Sequence, residues 1–126
     1  MSMRTPLGRV RGLGTARDGA QHFWWQRLTA LANIPLVIAL VVVAINLVGA
    51  DYEAAQSIVA QPLVAIALLL LMLSVTYHMR LGMAVIIEDY VHGELARVLA
   101  LASNTLVSIA IAVACVFAIL KISFGG

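Results

Sequence analysis

A histidine, an arginine, a glycine and an Asp-Tyr pair fall within one stretch, HMRLGMAVIIEDYVHG, at residues 78–93. These types can do chemistry. A neutral imidazole binds a metal through one ring nitrogen, a carboxylate holds a proton, and a phenol donates a hydrogen bond. An ionisable side chain inside an apolar run is expensive in hydrocarbon, which makes it a functional candidate by default. On a helix turning about 100° per residue, His78, Gly82, Val85 and Asp89 return to one face. Gly82, one turn from His78, leaves a notch where a flat bulky group could press on the backbone. Two readings of His78 stay open: an axial haem ligand, or a membrane histidine hydrogen-bonded to a neighbouring helix. No second histidine lies within the apolar spans, so a bis-histidine haem would take its other ligand from another chain. A zinc-type site is poorly served, because His22 and His92 lie at the span ends and no acid or cysteine is near His78.

Arg80 is rotated about 200° from His78 and points elsewhere. It reads as snorkelling or structural pairing, with a haem propionate or a neighbouring subunit's acid as the functional alternative. Glu88 and Glu94 read as a solvated loop. Asp89 and Tyr90 share that loop reading with a second one. They adjoin the His78 face at the depth where a quinone head could enter from lipid. There a phenol could donate to a carbonyl oxygen and a carboxylate could serve a proton path.

The elements that must position these groups are membrane helices. Of 126 residues, 63% are hydrophobic and 11% charged, with mean hydropathy +1.02. A soluble domain of this length buries only about two-thirds of its surface and could not hide so much apolar area. Lipid is therefore the natural solvent. The formal charge of +2 is too small to argue for nucleic acid. The single cysteine, Cys115, excludes an internal disulfide and reads as a packing residue. The N-terminal stretch MSMRTPLGRVRGLGTARDGAQ has arginines but no apolar core of signal-peptide length, so no cleaved signal is expected. It is expected to be irregular or surface-lying, and a bacterial origin is favoured over a mitochondrial transit peptide.

Three segments reach the 20 or so residues that cross a hydrocarbon core, at about residues 28–48, 62–87 and 95–120. Backbone polar groups in lipid must be satisfied within the segment, which predicts an all-α fold. The organisation is a segment at residues 1–22 followed by a three-helix membrane anchor domain at residues 23–126. Pro35 removes one donor from the first helix and is expected to bend it. Arg4, Arg9, Arg11, Arg17 and Arg27 precede the first span, whereas the next loop carries Asp51 and Glu53 and no basic residue. The positive-inside rule then puts the N-terminus in the cytoplasm and the C-terminus in the periplasm, with Lys121 as a weak counter-signal. Trp24 and Trp25 stand where indoles anchor a helix at headgroup level. By depth, His78 sits about 13 Å from the cytoplasmic end of its span, near mid-membrane.

At these residues the chain resembles the smaller hydrophobic membrane anchor family of succinate dehydrogenase, respiratory complex II. That family has three membrane helices in a chain of similar length. Its second helix carries a histidine, an L/I-G-M step and an Asp-Tyr pair eleven residues after the histidine, matched here by His78, Gly82, Met83, Asp89 and Tyr90. Its approach to the first helix has a His-Phe pair and an R-x-T-A step, matched by His22, Phe23, Arg27, Thr29 and Ala30 in HFWWQRLTA. The resemblance covers nearly the whole chain from Gly19. It implies that His78 is an axial ligand of haem b, with Gly82 packing on the haem. Tyr90 would bond the ubiquinone head, with Asp89 beside it. Arg27 would lie near the haem propionate and quinone region. The other axial histidine would come from the cytochrome b subunit of the complex. The flavoprotein and iron–sulfur subunits would dock on the cytoplasmic face of the bacterial inner membrane. The polar residues Ser103, Asn104 and Ser108 would be buried against the cytochrome b subunit. The anchor would do no dehydrogenation itself, serving electron transport and the tricarboxylic acid cycle through the complex.

Two rivals differ in class. Small multidrug transporters share this length but typically have four spans and a carboxylate inside the first, where no acid lies between Leu28 and Val48. A purely structural membrane subunit explains the spans but leaves His78, Asp89 and Tyr90 without a role. A haem spectrum separates these readings. The topology has its own check. A periplasm-active reporter fused in the loop holding Asp51 and Glu53 is expected to be active, and a cytoplasmic signal there would reverse the orientation.

Overall fold

The computed structural model describes residues 6–7 and 15–125. Arg4, Arg9, Arg11 and the side chain of Arg17, which carry most of the charge argument for orientation, lie outside the described residues. Among those described, four helices follow in order: α1 (Thr15–Leu47), α2 (Tyr52–Val59), α3 (Pro62–Tyr90) and α4 (Glu94–Ser123). Three stretches, Gly19–Leu47, Pro62–Tyr90 and Glu94–Ser123, are long and apolar enough to cross a membrane. The protein is an all-helical, multi-pass membrane protein.

The spans agree in number with those read from hydropathy, but the helices run past them. α1 starts at Thr15, well before the apolar start at Leu28, so the stretch expected to be irregular or surface-lying is helical rather than irregular from Thr15 onward. Hydropathy marks where a helix enters lipid, not where it begins. Residues Thr15 to Arg27 contain no proline, and each residue added to an existing helix gains a hydrogen bond. α1 also passes through Pro35 as one continuous helix. At 33 residues it is about 50 Å long, against a hydrocarbon core of about 30 Å.

Local chemistry fixes the turns. After α1, Gly49 takes φ +77°, a left-handed conformation that costs glycine no Cβ clash. Asp51 then caps α2, a helix that hydropathy alone does not signal. Its carboxylate accepts from the Ala54 amide at 2.9 Å. Pro62 opens α3, at a position where its missing N–H has no intrahelical partner to lose. Between α3 and α4 the Arg97 Nε donates to the Val91 carbonyl at 3.0 Å, tying down the short connection.

α3 is the middle of the molecule. α1 packs on one side of it and α4 on the other, and α1 and α4 do not pack on each other among the described residues. α2 bridges the ends of all three. The buried apolar residues Ala65, Leu71 and Leu81 all belong to α3. Most large apolar side chains elsewhere are exposed, as lipid-facing residues should be. Leu71 is 1% exposed and Leu63 is 81% exposed. In a bilayer the transfer part of a Leu→Ala cost largely cancels, because a lipid-facing leucine is equally content. The cavity part remains. Leu71→Ala is expected to cost about 2 kcal/mol, the low end for buried leucine, and Leu63→Ala close to nothing, measured by SDS-induced unfolding in micelles.

Candidate functional site

His78 lies on the side of α3 that meets α1. Its Nδ1 is 3.0 Å from Thr29 Oγ1, and Thr29 is buried. The Thr29 hydroxyl in turn donates along its own helix to the Trp25 carbonyl at 2.8 Å, with the Gln26 carbonyl at 3.2 Å. One turn away, Ser74 Oγ makes a long 3.5 Å contact to the Thr29 carbonyl. One turn the other way is Gly82, where an added Cβ would sit 3.7 Å from Gln26 Nε2. The notch beside His78 therefore faces an amide of α1. The Gln26 Oε1 and Asn33 Oδ1 atoms on α1 are buried with no hydrogen-bond partner. Of the two open readings of His78, the bond to a neighbouring helix is present, and it engages only one ring nitrogen. Nε2 makes no hydrogen bond among the described residues.

Arg80 points the other way, toward α4. Its Nε donates to Thr105 Oγ1 at 3.2 Å, and Asn104 Nδ2 donates to its backbone carbonyl at 2.9 Å. Structural pairing is thus the role these contacts give it. The expectation that Ser103, Asn104 and Ser108 face a second chain needs correction. Asn104 bonds α3 of the same chain, Ser108 is 3% exposed beside Thr76 of α3, and only Ser103 is exposed. Small and polar residues mediate helix contacts in lipid whether the neighbour is the same chain or another, so the sequence could not choose.

The remaining candidates are spread out. Arg27 lies about 200° around α1 from Thr29, so it points away from His78. Its guanidinium carbon sits 5.0 Å from the Phe23 ring centroid, a cation–π contact. Asp89 and Tyr90 are exposed at the end of α3, roughly 16–18 Å along the axis from His78. A separate cleft of about 440 Å³ opens between α1, α3 and α4, lined by His22, Trp25, Tyr77, Arg80, Glu88 and Asn104 among others. Trp25 and Tyr77 meet edge to face across it, with centroids 5.9 Å apart. No group of three or more His, Cys, Asp or Glu that could hold a metal occurs among the described residues.

A family model described as the succinate dehydrogenase/fumarate reductase transmembrane subunit matches residues 1–119. The chain belongs to that family. It is 26% identical over 121 residues to the succinate dehydrogenase hydrophobic membrane anchor subunit of Paracoccus denitrificans, covering 96% of this chain and 93% of that one. It is 28% identical over 88 residues to the succinate dehydrogenase membrane anchor subunit of Reclinomonas americana, with 68% and 73% covered. The hydrophobic membrane anchor subunit of Rickettsia bellii is likewise 28% identical over 88 residues, at 70% of each chain. No solved structure matches. Membership of the transmembrane subunit family accords with three spans in one short chain and removes the multidrug transporter.

The residue that sequence reasoning left without a role is Thr29. Gln26, Thr29 and Asn33 recur at helical spacing in and just before the first span. Polar side chains at that spacing in an apolar helix mark the side turned to protein, and that is the signal that points to Thr29.

Proposed function

We propose that this chain is the smaller hydrophobic anchor of a succinate:ubiquinone oxidoreductase in a bacterial inner membrane, with its N-terminus cytoplasmic. It would hold haem b jointly with the cytochrome b subunit, and complete a ubiquinone-reduction site beneath the iron–sulfur and flavoprotein subunits. Family membership supports the anchor role. The observation that carries the cofactor is His78 itself, a mid-span imidazole held on Nδ1 and free on Nε2 among the described residues.

This donor set suits haem. A single neutral imidazole is half of a bis-histidine pair, and a second chain would supply the other half. Bound there, the haem would supply a one-electron centre within the membrane. The residues of this chain do the rest of the work. His78 would hold the iron, and its packing against α1 keeps the ring from turning. At the cytoplasmic end of α3, Tyr90 would donate its hydroxyl proton in a hydrogen bond to a quinone carbonyl oxygen. As electrons arrive, negative charge builds on that oxygen before a proton neutralises it in the quinol, so the bond is strongest part-way through reduction. Asp89 beside it would hold a proton at the aqueous edge. Tyr90 is 79% exposed in the single chain, so the far wall of such a site must come from partner chains. A cofactor-free structural subunit would equally use the Thr29–His78 bond, and would give Nε2 no use.

Two substitutions test the reading in the purified complex. His78→Leu should remove the nitrogen that would hold the haem and change the haem spectrum, and an unchanged reduced-minus-oxidised spectrum and spin state would refute it. Tyr90→Phe keeps the ring and deletes one donor. Succinate–ubiquinone reduction should fall about tenfold, milder than the 10²–10³ typical of a preorganised donor because water can substitute. Succinate–dye reduction should persist. Full quinone activity in Tyr90→Phe would take Tyr90 out of the site.

A further inference from the structure

We infer that Thr29 fixes the tautomer and orientation of His78, making it a positioning residue for the metal-facing nitrogen. The inference rests on His78 being a haem ligand, as proposed above. A threonine hydroxyl has one proton and two lone pairs. Inside a helix that proton goes by preference to the carbonyl four residues back. Here the Trp25 carbonyl lies 2.8 Å from Oγ1, with the Gln26 carbonyl as a second acceptor at 3.2 Å. Both neighbours can only accept, so the hydroxyl proton is committed to α1. What Oγ1 then offers across the 3.0 Å gap to His78 Nδ1 is a lone pair. The imidazole must meet it with a proton on Nδ1.

A neutral imidazole carries only one ring proton. With it on Nδ1, Nε2 presents an unprotonated lone pair, the form that binds iron. The contact is sheltered from competition by water, because Thr29 is only 8% exposed. It is also rigid. The acceptor is fixed by its own helix, and Ser74 contacts the Thr29 carbonyl from the turn before His78. A hydrogen bond accepted from the outer nitrogen of a metal-binding histidine raises the basicity of the inner one. Thr29 would therefore strengthen iron binding and favour the ferric state, without touching the haem.

The test compares the whole complex carrying wild-type chain, Thr29→Val, Thr29→Ser, Thr29→Cys and His78→Leu. The readouts are haem midpoint potential, the low-spin EPR line and the rate of haem loss to apomyoglobin. Thr29→Val keeps the shape and removes the acceptor. It should weaken haem retention by about tenfold, the low end for such supporting groups, and raise the midpoint potential. Thr29→Ser keeps the hydroxyl and should restore wild-type values. Thr29→Cys offers a weaker acceptor and should fall between them, and it is read in place of Thr29→Val should that variant fail to assemble. Wild-type potential, EPR line and haem retention in the Val or Cys variant would overturn the inference, provided His78→Leu alters them. If His78→Leu alters none of them, the ligand reading itself falls and this inference with it.

Discussion

Lipid offers helices no hydrophobic reason to stay together, since a leucine facing a hydrocarbon tail has already left water. What holds α3 between its neighbours must be close packing and polar contacts made where water cannot compete. The structure has a set of these on each of two opposed sides of one helix. On the α1 side stand Ser74 and His78 against Thr29. On the α4 side stand Arg80, Thr105 and Asn104. The half-turn offset between His78 and Arg80 is what lets one helix engage both neighbours at the same depth.

Much of this is legible in the sequence because membrane-spanning helices are written in composition. The three apolar runs, the shift to polar residues after Ile87 and the half-turn between His78 and Arg80 are all visible without coordinates. Helix ends are harder. The start at Thr15 carries no hydropathy signal, and α2 announces itself only through Asp51 and Glu53, which also read as ordinary loop charges. Pairing is harder still. That Asn104 bonds the Arg80 carbonyl, rather than a group on a second chain, depends on which helices lie side by side. Nothing in either segment alone decides that. Thr29 escapes notice for a different reason. Its place in the RLTA step is plain, but a hydroxyl that bonds its own helix gives little sign that it also serves a neighbour.

The candidate residues sort by depth. His78 is enclosed in protein on its Nδ1 side, whereas Asp89 and Tyr90 stand free at the end of α3. Groups that must keep one geometry are held by two helices. Groups that would meet a mobile molecule at the interface are held by one. The cleft among Trp25, Tyr77, Arg80 and Glu88 lies between these levels, with Arg80 anchored at its base by Thr105.

The row formed by α1, α3 and α4 has a consequence for divergence. Three helices closed into a triangle would each constrain the other two. In a row, the outer pair do not pack on each other among the described residues and meet only around the cleft, so away from it a changed side chain on α1 need not be answered on α4. Most of their apolar surface is exposed in the single chain, and where it meets lipid one branched aliphatic residue serves about as well as another. Such surfaces can drift at little cost while the middle helix, pressed from two sides, has less latitude. A chain built this way can wander to 26–28% identity with relatives and still keep its three spans.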